Sequence, residues 1–237
     1  MNNKEIVLKT FEKVSLEYLG NSNSIHELGN KSKKLEEAAS STISKLLKLD
    51  DQEIIYTSGL LESLNLLFFG YLEKFANNVG KEVKVLIDER IDKDLKEALK
   101  DLNIAITFFD IASFNEEWLK DQDLVLVYFD TVPMYLENLI QNKQERLKIA
   151  INISRNLDCP NLKNIDFILF DLQKIDGILG IGALIRKKNL ELTPLLHGGK
   201  STTNARSGTP ALALIVSFAK NLHLWYNDQK MKHTTNG

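Results

Sequence analysis

An α/β fold, with a mostly parallel central sheet flanked by helices, is the architecture this sequence predicts, on three observations. Short runs rich in Val, Ile, Leu and Phe recur along the chain, stretches with helical spacing lie between them, and Gly, Asn, Ser or Asp punctuate the joins. Residues 3–18 place Ile6, Phe11 and Val14 at helical spacing, so a helix opens the chain. Gly20 to Gly29 is rich in Asn, Ser and Gly and reads as a loop. Residues 31–48 form a second amphipathic helix, with Leu35, Ala39, Ile43 and Leu46 on one side. Ile54–Thr57 is a short strand that turns at Ser58-Gly59 into a helix from Leu60 to Ala76. Val83–Ile87, Ile104–Phe109, Leu124–Phe129, Leu147–Ile153, Ile165–Phe170 and Ile181–Ile185 are further strands, with a helix at Asp92–Leu102. A last helix spans Pro210 to Tyr226. With no repeat and no linker in view, the expectation is one domain over residues 1–228 and a polar tail over 229–237.

The 237 residues carry a formal net charge of −2, and their Lys, Asp and Glu side chains are interspersed, so nothing points to nucleic acid as a partner. Cys159 is the single cysteine, which excludes an internal disulfide and fits a reducing cytoplasm. No leader is expected in Met1–Val7, and no apolar run approaches the roughly 20 residues a membrane span requires. A cytoplasmic protein without a metal site is therefore expected.

Four segments carry candidate chemistry. In the run from Ile55 to Asn65, a strand enters a small-residue turn and then a helix, which aims free backbone N–H groups at one point and suits an anion. In the run from Asp171 to Leu184, Lys174 follows a buried strand and precedes glycines spaced at 177, 180 and 182. A lysine at a strand end facing a cavity can form a Schiff base. Taken alone, the commoner meanings are an ordinary turn and a surface lysine. The third segment is His197-Gly198-Gly199 followed by Arg206-Ser207-Gly208-Thr209, a loop compatible with gripping an anion. The fourth is the polar loop Gly20-Asn21-Ser22-Asn23-Ser24-Ile25-His26.

Together and in this order, from about Asn21 to Leu222, these segments resemble the cysteine desulfurases, pyridoxal phosphate proteins of the class V aminotransferase family and of fold type I. The resemblance implies the cofactor-binding large domain of the aspartate-aminotransferase-like fold, without a counterpart to the family's C-terminal small domain. It implies pyridoxal phosphate as cofactor, with Lys174 where the family's lysine forms the Schiff base. Gly59, Leu60 and Leu61 stand at the phosphate cradle, and Thr209 matches a threonine that reaches the neighbouring subunit's phosphate. It thereby implies a homodimer, or a heterodimer with a full-length desulfurase, and a sulfur acceptor or scaffold protein as a further partner.

Against the family's pattern, Asn152 replaces the aspartate that pairs with the pyridine nitrogen, and a neutral amide stabilises that positive charge less. Gln173 replaces the lysine-adjacent histidine, and no histidine lies between His26 and His197 to stack on the ring. Leu61 replaces a threonine hydroxyl. Asp171 replaces a serine and sets a carboxylate near the phosphate, a repulsion of roughly 4 kcal/mol at 4 Å between unit charges at intermediate dielectric. Cys159 lies between two strands and is not the family's persulfide cysteine; it reads as a small, partly buried residue. The expected function is a cysteine desulfurase-like protein without autonomous release of sulfur from L-cysteine. The alternative is a non-catalytic partner of a full-length desulfurase.

Overall fold

A computed structural model describes residues 2–72, 83–120, 123–175, 177–198 and 203–235. Helices α1 (Asn3–Glu17) and α2 (Glu27–Leu46) precede β1 (Gln52–Thr57) and α3 (Leu60–Asn65). A π-helical turn, Leu66–Leu72, continues α3. Then follow β2 (Val83–Asp88), α4 (Lys93–Leu99), β3 (Ala105–Phe109), β4 (Leu124–Phe129), α5 (Leu136–Gln141), β5 (Leu147–Asn152), β6 (Phe167–Asp171), β7 (Gly182–Lys187) and α6 (Leu212–Thr235).

The seven strands form one sheet in the order β1-β7-β6-β5-β4-β2-β3. Strands β2 to β6 are parallel along their pairings, as expected. Strand β7 runs against both β6 and β1. The link from β6 to β7 is too short for a helical crossover, so the chain returns antiparallel. Because β1 opposes β7, it points the same way as β6, and the carboxyl ends of β1, β2, β4, β5 and β6 share one edge of the sheet. The order also reverses between β2 and β4, the switch point where an open α/β sheet leaves a crevice.

Both faces of the sheet are covered, so its central strands are apolar throughout rather than alternating. On one face, Val125, Val127 and Phe129 of β4 pack with Ile149, Ile151 and Phe170 beneath Ile43 of α2 and Phe218 and Leu222 of α6. On the other, Leu126 and Tyr128 of β4 pack with Val85, Ile87 and Leu169 beneath Leu67, Phe68 and Tyr71 of the π-helical turn and Leu95 of α4. Helix α1 lies along α6 in the opposite sense, its Asn3 amide donating to Asp228 Oδ2 at 2.6 Å.

Some elements differ from expectation. Helix α2 starts at Glu27 rather than 31, because His26 Nδ1 accepts the Gly29 N–H at 3.1 Å and caps it. The helix after Gly59 is α-helical only to Asn65, and residues 73–76 of the expected span lie outside the described residues. Gly70 in its π-helical turn accepts the Thr193 N–H at 2.8 Å, which diverts that carbonyl from an ordinary helical ladder. Helix α6 runs on past Tyr226 to Thr235, through most of the expected polar tail. Helix α5 was not expected; it is six residues long and has no side-chain cap.

Candidate functional site

Each of the parallel strands β2 to β6 delivers an Asp or Asn at its carboxyl end: Asp88, Asp110, Asp130, Asn152 and Asp171. The strand interior is apolar, and the first polar residue falls where the strand leaves the core. Once the strands are aligned in the sheet, these residues line one edge.

Asp88 is fully buried and bonded to Arg90 through the guanidinium and the backbone N–H. Burial alone would raise its carboxyl. The Arg90 donors and the Asp130 N–H, which meets Asp88 Oδ2 at 3.1 Å, outweigh burial and hold it below the usual carboxylate range. Asp130 Oδ1 accepts from the Tyr128 hydroxyl at 2.8 Å and from the Asn152 amide at 3.1 Å. Asn152, itself buried, accepts the Ser154 N–H at 2.9 Å. Its amide is thus held from both sides by the protein.

Asp171 is 6 % exposed. Its N–H donates to Ser154 Oγ at 3.0 Å, and its Oδ1 accepts the Gln173 N–H at 3.2 Å. Burial raises its carboxyl above the ordinary value, offset in part by the Gln173 N–H, the Lys174 charge and the backbone N–H of Leu60. Leu60 is the first residue of α3. The Ser58 N–H at the same turn donates to Glu62 Oε2 at 2.7 Å, and Glu62 Oε1 receives Arg206 Nε at 2.7 Å. The turn expected to cradle an anion therefore has its Ser58 N–H taken by a carboxylate of its own chain, and Asp171 ends the strand row beside it.

The Ser58–Gly59 turn is close-packed. Gly59 has φ of +155°, and the Thr57 hydroxyl donates to its carbonyl at 3.0 Å. A Cβ at Gly182 would lie 2.8 Å from the Gly59 carbonyl carbon, so only glycine lets β7 begin there. A cavity of about 130 Å³ opens beside the turn, bordered by Thr57, Ser58, Gly180, Arg206 and Thr209. Thr209 Oγ1 accepts from the Asn21 amide at 3.3 Å, so the polar loop after α1 meets the Arg206–Thr209 loop.

The expected site residues thus separate into two groups. Gly59, Leu60, Asp171, Gln173 and Lys174 come together where β1 and β6 end and β7 begins, with Asp171 Oδ1 accepting the Gln173 N–H. Asn152 belongs instead to the Asp88–Asp130 network, linked to Asp171 through Ser154. Lys174 is exposed on a short turn, and the Leu61 side chain is 56 % exposed, lining a groove with Leu195 and Leu196. Asp176 and Gly199, both inside expected motifs, lie outside the described residues. Sequence reasoning did not single out Asp88, Arg90, Tyr128, Asp130 or Ser154. The signal available for the aspartates was the repeated ending of apolar runs in Asp or Asn, visible in Leu86-Ile87-Asp88 and Tyr128-Phe129-Asp130. Cys159 is buried in the core beneath α2 and α6, and burial pushes its thiol up to about 11.

Comparison with known proteins shows what the chain is similar to. The aminotransferase class-V family matches residues 2–90. A cysteine desulfurase IscS of Rickettsia prowazekii is 33% identical over 86% of this chain and 55% of its own length. A NifS/IcsS protein homolog of Lactobacillus delbrueckii subsp. bulgaricus is 28% identical over 95% of this chain and 63% of its own. The chain thus spans between about half and two thirds of the length of these curated relatives. Among solved structures, a NifS-like protein superposes with a TM-score of 0.77 at 20% identity, covering 97% of this chain and 70% of that one. DndA from Streptomyces lividans does so with a TM-score of 0.77 at 20% identity, over 96% of this chain and 70% of its own. At that identity the structural likeness speaks for the fold. Among the described residues, no helix is long and apolar enough to cross a membrane.

Proposed function

The chain is cysteine desulfurase-like, and on that premise we propose that it keeps the large-domain fold of this pyridoxal phosphate family and has no desulfurase activity of its own. The observation that carries this reading is the buried Asp171 carboxyl at the end of β6, in the strand row on which the Ser58–Gly59 turn closes and where the family's cofactor phosphate is expected.

Pyridoxal phosphate is the family's cofactor, and the residues present do not fit it. The Ser58 N–H of the turn already donates to Glu62 Oε2, and the buried Asp171 carboxyl lies at the end of the adjoining strand row. A phosphate beside Asp171 meets like charge in a partly desolvated place, where Coulomb repulsion is strong. Asn152, expected beneath the pyridine nitrogen, is neutral and already bonded to Asp130 and Ser154. Gln173 brings no ring to the position before Lys174. Cys159, buried with a raised thiol, is not placed to accept sulfur.

The reading includes a dimer, of two copies or of one copy with a full-length desulfurase, and a sulfur acceptor or scaffold protein as a further partner. The exposed Leu61, Leu195 and Leu196 beside the turn support an interface there.

The test is direct. The purified chain is incubated with pyridoxal phosphate, freed of excess, scanned in the visible and trapped with borohydride for peptide mass spectrometry. No cofactor band and no adduct enriched on the Lys174 peptide are expected. A band with its adduct on that peptide would defeat the reading.

A further inference from the structure

The turn between β1 and α3 aims backbone N–H groups at the carboxyl edge of the sheet. Glu62 takes one of them from within α3, and its other oxygen is tied to Arg206. Asp171 comes from a different element, and the sheet register explains how it arrives. Asp171 pairs with Gly182, and Gly182 pairs with Thr57, so the ends of β6 and β1 and the start of β7 lie in one row. Gly182 has no side chain to hold the turn away, since a Cβ there would lie 2.8 Å from the Gly59 carbonyl carbon. The turn therefore closes down onto the row in which Asp171 sits.

Three constraints hold Asp171 in place: its strand position, its N–H on Ser154 Oγ at 3.0 Å, and its Oδ1 on the Gln173 N–H at 3.2 Å. With 6 % of its surface exposed, the side chain has little room to swing out and make way for a ligand.

We propose that the Asp171 carboxylate is the built-in occupant of this turn and is the group by which the chain excludes phosphate-bearing cofactors. The proposal rests on the functional reading above but goes further, because it assigns the exclusion to one side chain among several altered positions. Leu61 directs its side chain into the exposed groove with Leu195 and Leu196, so it removes a donor without blocking the turn. Asn152 acts at a distance, through Ser154. Asp171 alone brings a carboxylate from another strand to the row on which the turn closes.

The experiment compares the full chain with its Asp171→Ser and Asp171→Asn variants. Each is treated with pyridoxal phosphate or with unphosphorylated pyridoxal, reduced with borohydride and peptide-mapped. With pyridoxal phosphate, the wild type is expected to label the Lys174 peptide no more than other exposed lysines, and both variants at least tenfold more. With pyridoxal, all three are expected to label alike, because the exclusion concerns the anion. Asp171→Asn keeps the shape and hydrogen-bond acceptor of the side chain, so it decides the matter alone if the serine variant does not fold. Variants that stay at the wild-type level, with the wild type unlabelled, would overturn the role of Asp171 and leave the functional reading standing. A gain equal for both probes would also overturn it, since that would be a change of access rather than of charge. Wild-type labelling by pyridoxal phosphate at Lys174 would overturn both.

Discussion

Two aspartates on one sheet edge titrate with opposite consequences for stability. Burial raises the Asp171 carboxyl above its ordinary value. The folded chain then holds that proton more tightly than the unfolded one. Its stabilising effect is complete below the unfolded value and is lost as pH rises through the folded value. Asp171→Asn is therefore expected to raise Tm by a few degrees near neutral pH, with the gain fading in acid; thermal melts across a pH series check this. Asp88 behaves the other way. Burial tends to raise it, but its Arg90 and Asp130 donors win and hold it low. Its contribution is present above the unfolded value and is lost as pH falls through the lower folded value. Arg90→Ala leaves a fully buried carboxylate short of its strongest donors. A loss of about 2 kcal/mol is expected in urea unfolding, less than for a wholly buried pair because Arg90 is half exposed. Cys159, with its thiol pushed up to about 11, should react with iodoacetamide at mildly alkaline pH only as fast as the chain unfolds. Labelling at the rate of a free thiol would contradict its burial.

Among the elements, α6 and β7 make the clearest claims. Phe218 of α6 is fully buried, its ring 5.1 Å from that of Phe170 in β6. Phe218→Ala should cost about 3–5 kcal/mol by chemical denaturation. The helices and strands were legible in the sequence because apolar runs and helical spacing are local signals. Leu124–Phe129 reads as a buried strand from its residues alone. The direction of β7 was less legible, since it depends on the length of a link and on which strand Gly182 meets. The site divides in the same way. Asp171 and Lys174 stood out because they fall within one recognisable run. Asp88, Asp110 and Asp130 are ordinary strand-end residues until the sheet order sets them side by side.

At the scale of the molecule, a sheet covered on both faces positions a turn, a lysine and a set of carboxylates at one edge. On the reading proposed above, a cysteine desulfurase-like fold is kept while the groups at that edge have changed from those that welcome a phosphate to those that repel one. Fold and chemistry are thus separable here: the core on both faces is built from apolar side chains and not from the carboxylates and lysine of the edge. Absence of autonomous desulfurase activity is tested by sulfide and alanine release from L-cysteine by the purified chain with pyridoxal phosphate and a reductant. Release no faster than from the cofactor and cysteine without protein is expected. Cysteine-dependent release well above that level, abolished by Lys174→Ala, would contradict it.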